Sequence, residues 1–157
     1  MRRAIVVGRA AGTLDEYAAV SALCAFDDII VVGEMAVHFP HRIDHWVSWH
    51  AELFPHWEQK RAGAGYSAPS AYWSATHKGR KMGAHGPLAD RLRYVACVGG
   101  SSGFLAAQVA VNGLLADRTV LVGIPMQAAA AHHGAPEPWT EADKYWPTWV
   151  EHADRLR

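Results

Sequence analysis

The sequence lacks the features that define several protein classes. It has only two cysteines, Cys24 and Cys97, and both lie inside apolar runs, so we expect buried thiols in a reducing compartment rather than a disulfide framework. No uncharged apolar run approaches the roughly eighteen residues of a membrane span. The 15 basic residues balance the 15 acidic ones, which excludes the strongly basic footprint of a nucleic-acid-binding protein. Neither a membrane nor nucleic acid is expected as a partner.

The composition is that of a folded, water-soluble chain. Half of the 157 residues are hydrophobic and only 19% are charged, which excludes intrinsic disorder. The N-terminal apolar stretch holds only five residues before Arg9, which predicts a first strand rather than an export signal. We therefore expect a single domain over residues 1–157, located in the cytoplasm.

Short apolar runs alternate with helical patterns along the chain. The runs predict five buried strands, near 4–8, 28–33, 45–50, 94–98 and 119–124. This alternation indicates an α/β, Rossmann-like domain with a mainly parallel five-stranded sheet and helices on both faces. We expect the strand order 3-2-1-4-5, so that the order reverses between the first and fourth strands. Ligands of such sheets bind at that reversal, outside the carboxyl ends of the strands.

The periodicity stops over about residues 62–90, which predicts an irregular, basic excursion with room for one short strand or hairpin. Basic residues outnumber acidic ones around it, which suits a lid over phosphates. The basic residues from 60 to 93 are Lys60, Arg61, Lys78, Arg80, Lys81, Arg91 and Arg93, against the single acid Asp90.

Two glycine-containing loops are predicted to meet at the reversal, and we expect them to hold a small anionic ligand. The second loop opens a helix, whose amides and positive dipole end suit a phosphate or a carboxylate. Neither loop has the Walker A or dinucleotide-binding spacing, and glycine and serine are also common in any strand-to-helix turn. The predicted ligand-binding residues are Gly8, Arg9 and Gly12 in the first loop and Gly100, Ser101, Ser102 and Gly103 in the second.

Three histidines are candidate catalytic bases. His50 is predicted at the carboxyl end of the third strand, with Glu52 two residues on, while His132 and His133 follow the last strand. The alternative interpretations are a surface histidine at a strand end and a solvated connector. We expect no metal site, because the chain has no His-Glu-x-x-His motif and no Cys/His framework.

Six of the seven tryptophans form two clusters, which indicate either a core with large side chains or a self-association surface for a homo-oligomer. The first cluster is Trp46, Trp49 and Trp57, and the second is Trp139, Trp146 and Trp149. Trp146 and Trp149 share a helical face, for which docking within the chain is favoured over contact with a second subunit.

The carboxyl half resembles a known family. Gly100-Ser-Ser-Gly-Phe-Leu-Ala-Ala-Gln-Val-Ala-Val followed by Arg118-Thr-Val-Leu-Val-Gly-Ile-Pro-Met126 is similar to the Rossmann-like group of bacterial sialyltransferases and archaeal 6-hydroxymethylpterin diphosphokinases, and most similar to its phage members. The resemblance covers residues 96–150 and, in outline, 4–50. It implies a glycosyltransferase-like protein of an infected bacterium that uses a nucleotide-activated donor as substrate, without a further cofactor, and a histidine after the last strand as general base.

The chain also departs from this family, and three hypotheses follow. It has Glu34 after the second strand, where the family often has Asn, and Pro125 in place of an acid. The first hypothesis is a nucleotide-sugar-dependent transferase in which His50 or His133 deprotonates the acceptor. The second is a non-catalytic nucleotide or nucleotide-sugar binder. The third is a virion or assembly protein that uses the fold as a scaffold.

Overall fold

The computed structural model describes residues 1–76, 88, 90–97, 100–124, 131–134 and 142–156. Within these residues the chain forms an α/β fold around one all-parallel, six-stranded sheet. The strands are β1 (Arg3–Val7), β2 (Asp28–Val32), β3 (His45–Val47), β4 (Ala71–Thr76), β5 (Leu92–Ala96) and β6 (Arg118–Val122). The helices are α1 (Thr13–Leu23), α2 (Met35–His38), α3 (Phe54–Gly63), α4 (Ser102–Gln108), which continues as a π-helical turn at Val109–Gly113, and α5 (Ala142–His152). None of the described helices combines the length and the apolar character needed to cross a membrane.

The strand order is β5-β4-β3-β2-β1-β6, so the predicted count of five strands and the order 3-2-1-4-5 are wrong. The five strands that were predicted correspond to β1, β2, β3, β5 and β6. The chain adds β2 to β5 in succession on one side of β1 and then returns to place β6 on its other side. β6 pairs with β1 from Arg3↔Arg118 to Val7↔Val122. The reversal therefore lies between β1 and β6, and the strand predicted near 94–98 is at the far edge.

The difference arises at β4, a short strand inside the excursion that was predicted to be irregular with room for one short strand or hairpin. Ala71 to Ala75 is a buried run, but Ser74 interrupts its apolar character and the residues before it are glycine, proline and serine. β4 inserts between β3 and β5 and moves β5 away from β1. The rest of the excursion, residues 77–87 and 89, lies outside the described residues, and so do Lys78, Arg80 and Lys81.

The sheet is buried on both faces because its strands are apolar on both sides. On one face, side chains such as Ile5, Val31 and Trp46 pack with α1, α2 and α3. On the other, Val6 and Ile30 pack against α4 and its π-helical turn. Successive crossovers from β1 to β4 thus stay on one face, while α4 crosses the opposite face on its way from β5 to β6.

A closed network of polar side chains spans the amino ends of β2, β3 and β4. Asp28 accepts hydrogen bonds from Arg2 Nε (2.6 Å) and Nη2 (2.9 Å) and lies 3.2 Å from His45 Nε2. Trp73 Nε1 donates to His45 Nδ1 at 3.1 Å, so the imidazole carries its proton on Nε2 and donates it to Asp28. Burial lowers the pKa of His45, and the Arg2 hydrogen bond lowers the pKa of Asp28.

The described basic residues of the excursion, apart from the exposed Lys60, serve the fold. Arg61 is 1% exposed and donates to the backbone carbonyls of Ala36, Phe39, His41 and Ser67 at 2.6–2.9 Å. Arg91 and Arg93, at the amino edge of β5, lie over aromatic rings of β4, those of Tyr72 and Trp73. These three arginines are therefore engaged away from the carboxyl ends of the strands.

Candidate functional site

An open cleft of about 340 Å³ lies at the carboxyl ends of β1, β2, β3 and β6. Strands are about 4.8 Å apart, so four strand ends give the cleft a span of roughly 14 Å. Residues after each of these strands line it, together with the start of α4 and one residue each from α3 and α5. The predicted site residues that line it are Arg9, His50, Gly100, Ser101, Ser102, Gly103 and His132.

The start of α4 presents donors to the cleft. Ser101 is the N-cap, and its Oγ accepts from the Phe104 amide and from Trp149 Nε1, both at 3.1 Å. Because both lone pairs of this hydroxyl are occupied, its proton is available to a ligand acceptor. The amides of Ser102 and Gly103 precede the first intrahelical bond and have no acceptor among the described residues. This helix start therefore suits an anion.

The Gly100–Gly103 turn reaches the cleft by a different route from the predicted one. β5 is not adjacent to β1, but α4 carries the turn back over the sheet. Ser102 Oγ accepts from the Trp49 amide after β3 (3.1 Å), and a Cβ at Gly103 would meet Ile124 Cγ2 after β6 at 3.2 Å. The helix start is thus anchored on both sides of the β2 and β1 ends.

Arg9 and Glu34 form an ion pair in the cleft, with 2.8 Å between Arg9 Nη1 and Glu34 Oε2. Each side chain is 29% exposed. The Nε of Arg9 is buried and has no partner among the described residues, so its guanidinium keeps donor capacity that Glu34 does not use. Arg9 therefore offers a charged donor to the cleft that the start of α4 also lines.

Among the described residues, Gly8 and Gly12 do not line the cleft, but they shape the backbone beside it. A Cβ on Gly8 would lie 2.2 Å from the carbonyl oxygen of Gly123, so glycine permits the close approach of β1 and β6. Gly12 has a φ of 82° and begins α1. Their place in the structure is explained by the backbone alone, and their predicted contact with a ligand stays a prediction.

The two neighbouring histidines after β6 take different places. His132 forms a bridge with Ala10 and lines the cleft. His133 donates its amide to the Arg9 carbonyl at 2.7 Å, and its ring lies 5.6 Å from that of His38. Burial and then the charge of Arg9 lower the pKa of His132, while Glu34 opposes this. At neutral pH His132 is therefore uncharged and able to accept a proton.

His50 lies at the rim of the cleft, after the end of β3. Its Nδ1 is 3.0 Å from Glu52 Oε1, and both side chains are more than half exposed. Its amide donates to the buried Ser48 Oγ, which holds the chain turn at this point. His50 and Glu52, two residues apart, thus contact each other at an exposed position.

Several lining residues were not predicted as site residues. They include Glu34, Trp49, Trp57, Ile124 and Tyr145. Glu34 and Trp49 each follow a strand by two residues, so the rule that ligands bind at carboxyl strand ends would have found them. Tyr145 has no such signal, because its position depends on how α5 packs against the start of α4.

The tryptophan clusters divide between core, cleft and surface. Trp46 is fully buried, whereas Trp49 and Trp57 line the cleft. Trp149 packs on α4, with its ring 5.0 Å from that of Phe104, while Trp146 is 52% exposed. Trp146 and Trp149 were expected to dock together within the chain, but only Trp149 does. Trp139 lies outside the described residues.

In the part of the chain that the structure describes, no three His, Cys, Asp or Glu side chains are grouped to hold a metal ion. Comparison of the chain with protein-family models, with curated proteins and with solved structures found no match.

Proposed function

We propose that the protein binds the phosphate of a nucleotide or nucleotide sugar in this cleft and acts as a phage-type, glycosyltransferase-like enzyme. One observation carries the proposal. Donors at the start of α4, the guanidinium of Arg9 and the uncharged imidazole of His132 line a single cleft. An anion site and a base side by side are what transfer from a phosphate-linked donor requires.

The phosphate is proposed to bind at the start of α4. The Ser101 and Ser102 hydroxyls and the amides of Ser102 and Gly103 supply donors, and Arg9 supplies charge. A hydrogen bond to a charged group is worth about 1.5–3 kcal/mol, so a few of them give measurable affinity. The indole of Trp49 offers a flat apolar surface for the remainder of the donor.

The transfer step needs a base near the acceptor. The acceptor hydroxyl oxygen bonds to the anomeric carbon of the donor sugar while the bond from that carbon to the phosphate oxygen breaks. The hydroxyl proton passes to His132, and the nucleotide leaves with both bonding electrons and its phosphate. His132 suits this role because its lowered pKa keeps it unprotonated at neutral pH.

A thermal-shift panel of nucleotides and nucleotide sugars tests the proposal. We expect at least one CMP-, UDP- or ADP-linked compound to raise the melting temperature, with inorganic phosphate as the weaker reference. Turnover of the responding donor then separates a transferase from a non-catalytic binder. A panel with no response at millimolar concentration would refute nucleotide binding.

A Rossmann-like classification of the fold is part of this proposal. Its support is the parallel sheet, the helices on both faces and the cleft at the reversal between β1 and β6. These are the general features of open α/β sheets that bind nucleotides.

An assembly role is the second candidate, and the exposed face of α5 favours it. Trp146 and Val150, one turn apart, are 52% and 61% exposed. A self-association surface built on Trp146 predicts a concentration-dependent oligomer in analytical ultracentrifugation that Trp146→Ser abolishes. A monomer at all concentrations would remove this candidate.

A further inference from the structure

The last helix, α5, contacts the start of α4 through one of its faces. Tyr145 and Trp149 are four residues apart and share this face. A Cβ on Gly100 would lie 3.2 Å from Tyr145 Cε1. A Cβ on Gly103 would lie 3.6 Å from Trp149 Cζ2, so both aromatic side chains pack on the turn that opens α4. This turn is thus held by α5 as well as by the strand ends.

Packing fixes the direction of the Trp149 indole. Its ring stands at 87° to the fully buried ring of Phe104, and the two ring centroids are 5.0 Å apart. Such an edge-to-face pair is favourable beyond the area that it buries, so it holds the indole in place. In this orientation Trp149 Nε1 donates to Ser101 Oγ at 3.1 Å.

The hydrogen bond from Trp149 determines what Ser101 offers to the cleft. A serine hydroxyl has one proton and two lone pairs. The Phe104 amide donates to one lone pair at 3.1 Å, and the indole donates to the other. The proton is then what the hydroxyl has left for the cleft, which Ser101 lines. Trp149 is not among the described lining residues, so its effect on a ligand passes through Ser101.

We propose that Trp149 is a positioning residue of the cleft, which fixes Ser101 as a pure hydrogen-bond donor to an acceptor atom of the ligand. Without the indole, the second lone pair would be open to water or to a ligand donor, and the hydroxyl would be free to turn. The chain from the indole through the hydroxyl to the ligand also strengthens each bond, because successive hydrogen bonds polarise one another. The inference rests on the proposed function, in which the acceptor is a phosphate oxygen, and it adds α5 to that site.

Isothermal titration calorimetry on a double-mutant cycle tests this role. CMP, UMP, AMP and GMP are titrated into the unmodified protein, and the tightest binder is kept as the probe. Ser101→Ala should weaken its binding by about 10- to 100-fold, through loss of a hydrogen bond to a charged acceptor. Trp149→Phe, which keeps an aromatic ring but not the donor, should weaken it by about 5-fold. In the Ser101→Ala background Trp149→Phe should bring no further loss, because the hydroxyl that it orients is gone. Trp146→Phe, on the same helix and 52% exposed, is the matched control and should leave the affinity unchanged.

The Trp149 indole proton gives a second readout by NMR. Ser101→Ala should move its resonance upfield, because the indole loses its acceptor. Binding of the probe to the unmodified protein should move the resonance downfield, because a phosphate that accepts from the Ser101 hydroxyl makes Oγ a better acceptor. A merely structural tryptophan would show neither shift.

The outcomes separate the inference from the proposed function. Absence of binding by all four nucleotides and by the nucleotide sugars refutes the proposed function and the inference with it. If a nucleotide binds, an unchanged affinity in Trp149→Phe overturns the inference and leaves the phosphate site standing. An equal loss with and without the Ser101 hydroxyl makes the role of Trp149 structural and also overturns it. Should either variant not fold, as judged by circular dichroism, the indole resonance of the unmodified protein decides, and a resonance that the bound probe does not move overturns the inference.

Discussion

The amino ends and the carboxyl ends of the strands carry the same types of residue. At the amino ends these residues bind one another, whereas at the carboxyl ends they surround an open cleft. At the amino edge, Arg2, Asp28, His45 and Trp73 form one continuous chain of hydrogen bonds. At the carboxyl edge, an arginine–carboxylate pair, a histidine and a tryptophan surround an open cleft. A polar network whose donors and acceptors are paired with one another stabilises a fold, whereas a network with donors and acceptors still available can bind a ligand. The comparison predicts stability effects at one edge and functional effects at the other.

The largest expected effect is on turnover at the carboxyl edge. His132→Ala should lower turnover of a responding donor by about 10²- to 10⁴-fold with little change in donor affinity, because a general base acts on the transition state. His133→Ala is the matched neighbour and should retain turnover, since its ring lies against His38. Steady-state kinetics and calorimetry measure the two quantities. If both variants match the parent, His132 is not the base.

The next effect is on stability at the amino edge. Asp28→Ala should lower the free energy of unfolding by about 1–3 kcal/mol, because it leaves the buried His45 Nε2–H without its acceptor and removes the hydrogen bonds of the half-exposed Arg2 guanidinium. Urea denaturation measures this loss. Glu34→Ala, the corresponding change at the other edge, should lower stability by less than about 1 kcal/mol because its ion pair is partly exposed. Equal losses of stability in Asp28→Ala and Glu34→Ala would contradict the assignment of a structural role to the amino ends of the strands and a ligand-binding role to the carboxyl ends.

Arg9→Gln should weaken binding of a responding nucleotide by about 10- to 100-fold, through loss of a charged donor to the phosphate. Without ligand, the melting temperature of the Arg9→Gln variant should stay close to that of the parent. Arg93→Gln serves as the control, because that guanidinium lies over Trp73 away from the cleft. Calorimetry at two salt concentrations checks the assignment, since the Arg9 contribution should diminish as salt rises. Undiminished affinity in Arg9→Gln would exclude this residue from the anion site.

The smallest effect is the pH dependence of stability. Burial lowers the pKa of His45 in the folded protein below the unfolded value of 6.5. The unfolded chain then binds more protons below that pH, so stability should be full above about pH 6.5 and decline as the pH falls towards the folded pKa. His45→Gln should make this decline shallower in urea titrations between pH 7 and 5. His38 and His132 add declines of the same sign, because burial also lowers the pKa of each.

The sequence predicted the α/β class and the parallel direction of the strands because the apolar runs are short and buried on both faces. It failed on strand order at β4, where Ser74 weakens the apolar signal of a strand that is nonetheless buried. The start of α4 was predicted from glycine and serine, which mark a helix start locally. Tyr145 was missed because only the packing of α5 brings it to the cleft.

The late position of β6 in the chain has a consequence for the order of folding. β6 completes the sheet beside β1, and the Arg2 amide bonds to an Asp117 carboxylate 115 residues away. Closing a loop of that length has an entropic cost of about 4 kcal/mol from chain length alone. The strands β1 to β5 can pair by shorter connections, so an intermediate would expose β1, which is apolar from Ala4 to Val7, as an unpaired edge. We therefore expect the residues that shape the cleft at β1 and β6 to assemble last, and aggregation during folding to begin at β1.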